Sequence, residues 1–152
     1  MITVQLATLS DVDELVELMH EFYAETDHPL DRDWASQAFT ELIGDPSRGS
    51  VWLLGLDNIS VGHAILSVRF AMEFGGLSAY IDDLFVRRAH RRRGVARAGL
   101  EALIAESIRR GCRSLHVEVD PDNAAAVSLY RGFGLAPGTD RRLELKTLLK
   151  AP

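Results

Sequence analysis

The segment HRRRGVARAGL, His90 to Leu100, crowds Arg91, Arg92, Arg93 and Arg97 around Gly94. It lies where an apolar run ending in Leu84-Phe85-Val86 gives way to a helical pattern. Backbone amides at a helix N-terminus are unpaired and carry partial positive charge. A glycine there lets a phosphate approach the backbone, and arginines add directional donors. The segment reads either as a pyrophosphate cradle or as a solvated charge run with a turn glycine; its placement between strand and helix favours phosphate. Two further groups could move protons. Asp82 and Asp83 interrupt the otherwise apolar AYIDDLFV, and Tyr130 sits in NAAAVSLYRGFGL. Each also has a plain structural use. The aspartates can pin loop amides or pair with the arginines, and Tyr130 shares a helix face with Ala126, Leu129 and Phe133.

These residues need elements to hold them. ITVQLAT alternates as a strand, and Ser10 is placed to cap a helix carrying Leu15, Leu18, Met19 and Phe22. Asp31 caps a second helix with Trp34, Ala38, Phe39 and Leu42, which ends before Pro46. SVWLLGL and ISVGHAILSV flank Asp57-Asn58 as a hairpin. AYIDDLFV is the next strand. Ala96, Leu100, Leu103, Ile104 and Ile108 then form one face of a helix that stops at Gly111. SLHVEV alternates as a half-buried strand, Asp122 or Asn123 caps a last helix, and RRLELKTLL reads as a closing strand. The expected fold is a single α/β (α+β) domain over residues 1–152. Its mixed, mostly antiparallel sheet has about six or seven strands, flanked by about four helices.

Composition limits the function. The chain has 152 residues, 47% hydrophobic and 26% charged, with a formal net charge of -5. That acidity, and the lack of an aromatic stacking platform near the arginines, argue against nucleic acid. No run is long and apolar enough to span a bilayer, and the start shows no signal-peptide pattern. A lone cysteine, Cys112, forms no internal disulfide and fits a reducing, cytoplasmic location. His63, His90 and His116 lack metal-ligand spacing, so no metal is expected. A P-loop is absent. Gly94-x-Ala96-x-x-Gly99 loosely matches a dinucleotide fingerprint, with Asp120 as a ribose-binding acid. Too few residues follow for the parallel units such a fold needs.

YIDDLFVRRAHRRRGVARAGLEAL resembles the acetyl-CoA motif of the GNAT superfamily of N-acetyltransferases. Arg91-x-x-Gly94-x-Ala96 matches its [Arg/Gln]-x-x-Gly-x-[Gly/Ala], after Leu84-x-Val86. NAAAVSLYRGFGL resembles a second motif of the family through Asn123, Ala126, Leu129, Tyr130 and Gly134, with Leu135 where Phe is usual. The family often has Pro where Arg88 sits and Gly where Arg92 sits.

The resemblance implies a co-substrate, acetyl-CoA, with the turn of Arg91, Arg92, Arg93, Gly94, Val95, Ala96 and Arg97 holding its pyrophosphate. Strand backbone at Leu84, Phe85 and Val86 would hold the pantetheine arm beside a bulge and a splayed neighbouring strand. Asn123 would lie near that arm or merely cap its helix. The acceptor would be a primary amine, on a cationic small molecule of the polyamine or aminoglycoside kind or on a peptide. A protonated amine has no free lone pair, so a base must take its proton. Asp82 is the first choice, with Tyr80 beside it in the acceptor site by strand alternation. Asp83 points the other way unless the bulge rotates it. Tyr130 is the general acid for the departing thiolate, transfer is direct within a ternary complex, and the protein is a homodimer. The acidic AETDHPLDRDW, with Glu25, Asp27, Asp31 and Asp33, hints at a cationic acceptor, although solvated loop charge accounts for it equally. A catalytically silent acyl-CoA sensor is the alternative.

Overall fold

A computed structural model describes residues 1–138 and 145–149 of the chain. The chain divides into two compact units, Met1–Glu118 and Val119–Pro152.

The first unit is built on a five-stranded sheet in the order β1-β2-β3-β4-β5. The strands are β1 (Ile2–Leu6), β2 (Gly49–Leu56), β3 (Ile59–Ala71), β4 (Gly76–Val86) and β5 (Ser114–Val117). The first four pair antiparallel, and β5 runs parallel to β4. Between β1 and β2 come two helices, α1 (Val12–Ala24) and α2 (Arg32–Gly44), while α3 (Val95–Arg109) connects β4 to β5. The hairpin turn is the one foreseen: Asp57 and Asn58 have φ of 51° and 67°, the left-handed pair that matches strand twist.

The helix starts differ in detail. Asp31 caps α2 as expected, its Oδ1 accepting from the Trp34 amide at 3.0 Å. The cap before α1 is Thr8 rather than Ser10. A single 3-10 turn over Leu9–Asp11 opens that helix, and the Thr8 amide donates to Asp11 Oδ2 at 2.7 Å.

Alternation along the strands separates two apolar layers. Leu15 and Leu18 of α1 and Ala35 and Phe39 of α2 pack against Val51, Leu53, Ile65 and Phe85. On the other face, Val95 and Ala96 of α3 pack with Leu54, Val61, Leu84 and Val86. The α3 helix approaches the sheet closely at Gly99, where a Cβ would come within 3.1 Å of both Leu54 Cδ1 and Leu84 Cδ1. That glycine therefore serves helix–sheet packing. With antiparallel pairing through β1–β4, the sheet is not the doubly wound kind that a dinucleotide site requires.

In the second unit, Asn123 caps α4 (Ala124–Gly132), its Oδ1 accepting from the Ala126 amide at 3.1 Å. Gly134, at φ 88°, follows that helix. The expected closing strand, RRLELKTLL, falls partly outside the described residues, at 141–144. Residues 145–149 form no strand, and Leu145, Leu148 and Leu149 are exposed. Among the described residues the sheet thus has five strands rather than six or seven. The expected class, α/β with a mixed, mostly antiparallel sheet and four helices, is the one observed.

Candidate active site

The site begins with a fault in strand pairing. Ile65 of β3 pairs with Asp83, but the next residue, Leu66, pairs with Ile81. Asp82 is the extra residue of a β-bulge, which resets the alternation of β4. Before the bulge the even residues face α1 and α2; after it the odd ones do, as Phe85 does in the core. Both aspartates consequently line the same cavity, of about 390 Å³, between α1, α2 and the sheet. Asp83 was expected on the opposite face unless a bulge rotated it, and the bulge does so.

The two carboxylates are held differently. Asp82 Oδ1 accepts from Ser67 Oγ at 3.2 Å, and its side chain reaches solvent at the cavity mouth. Enclosure by protein raises its pKa above the ordinary aspartate value; the Ser67 hydrogen bond opposes this, and the Asp83 and Glu118 charges add to it. Asp83 is buried, with Oδ2 3.1 Å from His63 Nε2. His63 is fully buried among the rings of Phe22, Phe39 and Phe85, and its Nδ1 has no partner. The tautomer with hydrogen on Nε2 therefore suits the pair: it donates to Asp83 and leaves only a bare acceptor at Nδ1. Tyr23, also in the cavity wall, has its hydroxyl pKa raised first by burial and then by the Asp83 and Asp82 charges. The remaining wall is apolar: Met19, Ala35, Ala38, Phe39, Leu42 and Ile65. Tyr80 stands apart from this lining. Its ring stacks on His116 with centroids 4.6 Å apart, and its hydroxyl accepts from Arg69 Nη2 at 2.9 Å.

Past the bulge β4 loses a neighbour. Its parallel pairing with β5 runs from Ser78–Ser114 only to Ile81–Val117. Among the described residues, Asp82 to Val86 have β3 on one side and no strand on the other. The β4 edge from Leu84 to Val86 is therefore open on that side, with the Val86 carbonyl taken by Arg91.

The arginine run divides by task. Arg87 grips Glu21 through Nε at 2.9 Å and Nη2 at 2.9 Å, and donates from Nη1 to the Ser60 carbonyl at 2.7 Å. Arg91 donates from Nε to the Val86 carbonyl at 2.7 Å and from Nη2 to Glu25 at 2.5 and 2.6 Å. Both tie the turn to α1. Glu25 is thereby committed to Arg91, and Asp31 to its helix cap. Arg92 and Arg93 are exposed, and the Arg93 charge, after the N-terminal ammonium, helps hold the Asp57 carboxyl below its ordinary pKa; Arg97 pairs with Glu101 at 3.2 Å.

At the turn itself, Arg92 and Gly94 are left-handed, with φ of 65° and 88°. Glycine is the residue that adopts the Arg92 conformation without strain. Gly94 precedes α3 and has no side chain to cap it. The amides of Val95, Ala96 and Arg97 are left without intrahelical partners, and the first helical bond is Ala98 N to Gly94 O at 3.0 Å. A Cβ on Gly94 would meet only Ile2 Cδ1, at 3.5 Å, so the face above the turn is open. The turn has the donors and the room for a phosphate.

Tyr130 lies in α4 and is buried, and Asn123 spends its side-chain oxygen on the cap. Burial pushes the Cys112 thiol up, which leaves it a poor nucleophile. No cluster of His, Cys, Asp or Glu among the described residues could hold a metal ion, and no helix among them is long and apolar enough to cross a membrane.

A bulged strand with one open edge leads into an uncapped helix N-terminus, beside a cavity carrying carboxylates. Residues 12–135 match the Acetyltransferase (GNAT) family, and the chain belongs to it. Over 64 residues the chain is 45% identical to the [ribosomal protein bS18]-alanine N-acetyltransferase of Escherichia coli K12. That match spans 42% of this chain and 43% of the relative, less than half of either. Among solved structures, an integron cassette protein from the mobile metagenome of Cole Harbour Salt Marsh is 36% identical, with a TM-score of 0.87, covering 98% of this chain and 91% of that one. An aminoglycoside acetyltransferase from an uncultured soil metagenomic sample shares the fold, with a TM-score of 0.77 at 19% identity, over 98% of this chain and 97% of its own.

Sequence reasoning missed His63 and Tyr23 as members of the site. A signal existed for His63: an ionisable side chain inside the apolar strand ISVGHAILSV needs a buried partner.

Proposed function

We propose that the protein is an acetyl-CoA-dependent N-acetyltransferase acting on a primary amine by direct transfer, as one domain spanning residues 1–152. The observation that carries this reading is the continuity of three features. An open β4 edge at Leu84, Phe85 and Val86 runs into the uncapped turn from Arg91 to Arg97 at one end. At the other end lies the bulge that presents Asp82. Acetyl-CoA supplies the activated acetyl group. The amides of Val95, Ala96 and Arg97 bind its pyrophosphate, assisted by the charges of Arg92 and Arg93 and positioned by Arg91. The Asp82 carboxylate, directly or through a water, takes the proton that the amine nitrogen gives up as its bond to the carbonyl carbon forms. Its pKa, raised above the ordinary aspartate value, makes it a stronger base than a free aspartate.

Tyr130 protonates the sulfur as the C–S bond breaks, an assignment that rests on the family motif in α4. Asn123 orders that helix through its cap and serves the CoA arm only through its remaining amide. Tyr80 supports the Asp82 face of β4. Ribosomal-protein and aminoglycoside amines, which the relatives' names carry, are acceptors to test. A homodimer and a cytoplasmic location complete the proposal; Phe70 and Met72, exposed at the end of the β3–β4 hairpin, support the former by offering apolar surface, and light scattering tests it. Thiol release from acetyl-CoA across a panel of amines tests the activity. CoA binding without turnover on any amine would favour the acyl-CoA sensor.

A further inference from the structure

Building on the transferase reading above, we infer that the acceptor is a small amine with one cationic centre on an apolar body, an arylalkyl or longer alkyl amine, rather than a polyamine, an aminoglycoside or a peptide. The cavity separates two chemistries. Its polar groups are Asp82, Asp83 and Tyr23, and these three are close enough for both carboxylate charges to act on the phenol. The opposing wall is a helical stripe: Ala35, Ala38, Phe39 and Leu42 recur at the spacing of one face of α2. The eight residues from Ala35 to Leu42, separated by seven helical rises, make that wall about 10 Å long. One ammonium at the bulge meets two carboxylates. A second ammonium a few methylenes further along would lie against methyl groups and a phenyl ring with no counter-charge, which is costly.

The neighbouring acids lie outside that wall: Glu118, whose charge acts on Asp82, is not part of the cavity lining. Glu25 is bound to Arg91, and Asp31 caps α2. The hydroxyls of an aminoglycoside and the peptide groups of an N-terminal residue would meet the same apolar wall unpaired. The volume, about 390 Å³, is in the lower part of the range for small-molecule sites, about 300–1,000 Å³.

The test uses the full chain with acetyl-CoA. Thiol release is measured with propylamine, butylamine, pentylamine, hexylamine and phenethylamine, and with putrescine, kanamycin and an alanyl peptide. Binding of each amine to the CoA-loaded protein is followed in parallel by calorimetry. Each added methylene should raise kcat/KM about threefold or more, and the apolar amines should exceed putrescine by at least about tenfold. A second arm uses Ala38→Asp, an exposed position at the rim of the stripe, which places a carboxylate where the second ammonium would lie. It should raise the putrescine-to-butylamine ratio by about tenfold. A flat alkyl series, or preference for putrescine, kanamycin or the peptide in the unmodified protein, would overturn the inference, as would failure of every apolar amine to bind. Affinity that climbs along the series without thiol release would uphold the pocket and overturn the transferase reading instead.

Discussion

His63 Nε2 lies 3.1 Å from Asp83 Oδ2, with the imidazole fully buried and the carboxylate nearly so. This cross-strand contact fixes one side of the bulge from which Asp82 projects. Truncating one member strands the other in an aromatic pocket. His63→Leu should therefore destabilise the protein by about 2–4 kcal/mol, while His63→Leu combined with Asp83→Asn should recover a good part of that loss. Urea titrations of the two single variants and the double variant measure the coupling. Additive losses would show that the pair does not act as a unit.

Asp82 should govern the pH profile. As the base it must be ionised, so kcat/KM should rise with pH through a value above the ordinary aspartate range, in keeping with its raised pKa. Asp82→Asn should lower turnover by roughly 10²–10⁴ while leaving acetyl-CoA affinity nearly unchanged. The effect on stability has the opposite sign. Between the ordinary and the raised pKa the folded state holds more protons than the unfolded one, so stability falls as pH rises through that window. Asp82→Asn should remove this fall, as thermal melts across mildly acid to neutral pH would show. An active Asp82→Asn variant beside an inactive Asp83→Asn would transfer the base role to Asp83.

The arginines should separate in a salt-dependence experiment. Arg87→Lys breaks the fork on Glu21 and should cost about 1–2 kcal/mol of stability. Arg92→Gly and Arg93→Ala should leave stability largely intact, with Arg92→Gly relieving a left-handed backbone. Both should weaken acetyl-CoA binding, most strongly at low salt. If they bind normally at low ionic strength, the turn is not the phosphate site.

Tyr130→Phe removes a single hydroxyl. A thiolate leaves readily, so its protonation helps without being indispensable. The variant should fold, bind acetyl-CoA, and lose about 10²-fold, in kcat more than in KM. Full kcat in a well-folded Tyr130→Phe protein would make the residue structural.

Much of this architecture is readable from local pattern, because local pattern causes it. The stripe Leu15, Leu18, Met19 and Phe22 forms α1, Asp31 caps α2, and Asp57-Asn58 turns the hairpin. What escapes is set by distant partners. Alternation alone places the aspartates of AYIDDLFV on opposite faces; the family resemblance implies a bulge in this strand, and the register against Ile65 and Leu66 locates it at Asp82, where it unites them. SLHVEV predicts a strand through its second valine, yet the observed strand stops at Val117, leaving the end of β4 open. The arginine run looks like one cluster in sequence, but Glu21 and Glu25, far upstream, claim Arg87 and Arg91 for structure. Which residues of α2 line the cavity, Ala35, Ala38, Phe39 and Leu42, follows only once the sheet is placed beneath that helix.

Binding of acetyl-CoA to Gly94→Ala and Gly94→Glu, measured by calorimetry beside the unmodified protein, tests the central claim most directly. Both substitutions impose the same strain at φ 88°, and both have room for a Cβ, so their folds should suffer alike. Only glutamate adds a negative charge where the proposed site holds the pyrophosphate. The account predicts saturable binding by the unmodified protein, weakened but measurable binding by Gly94→Ala, and none by Gly94→Glu. Equal affinity of the two folded variants would contradict it.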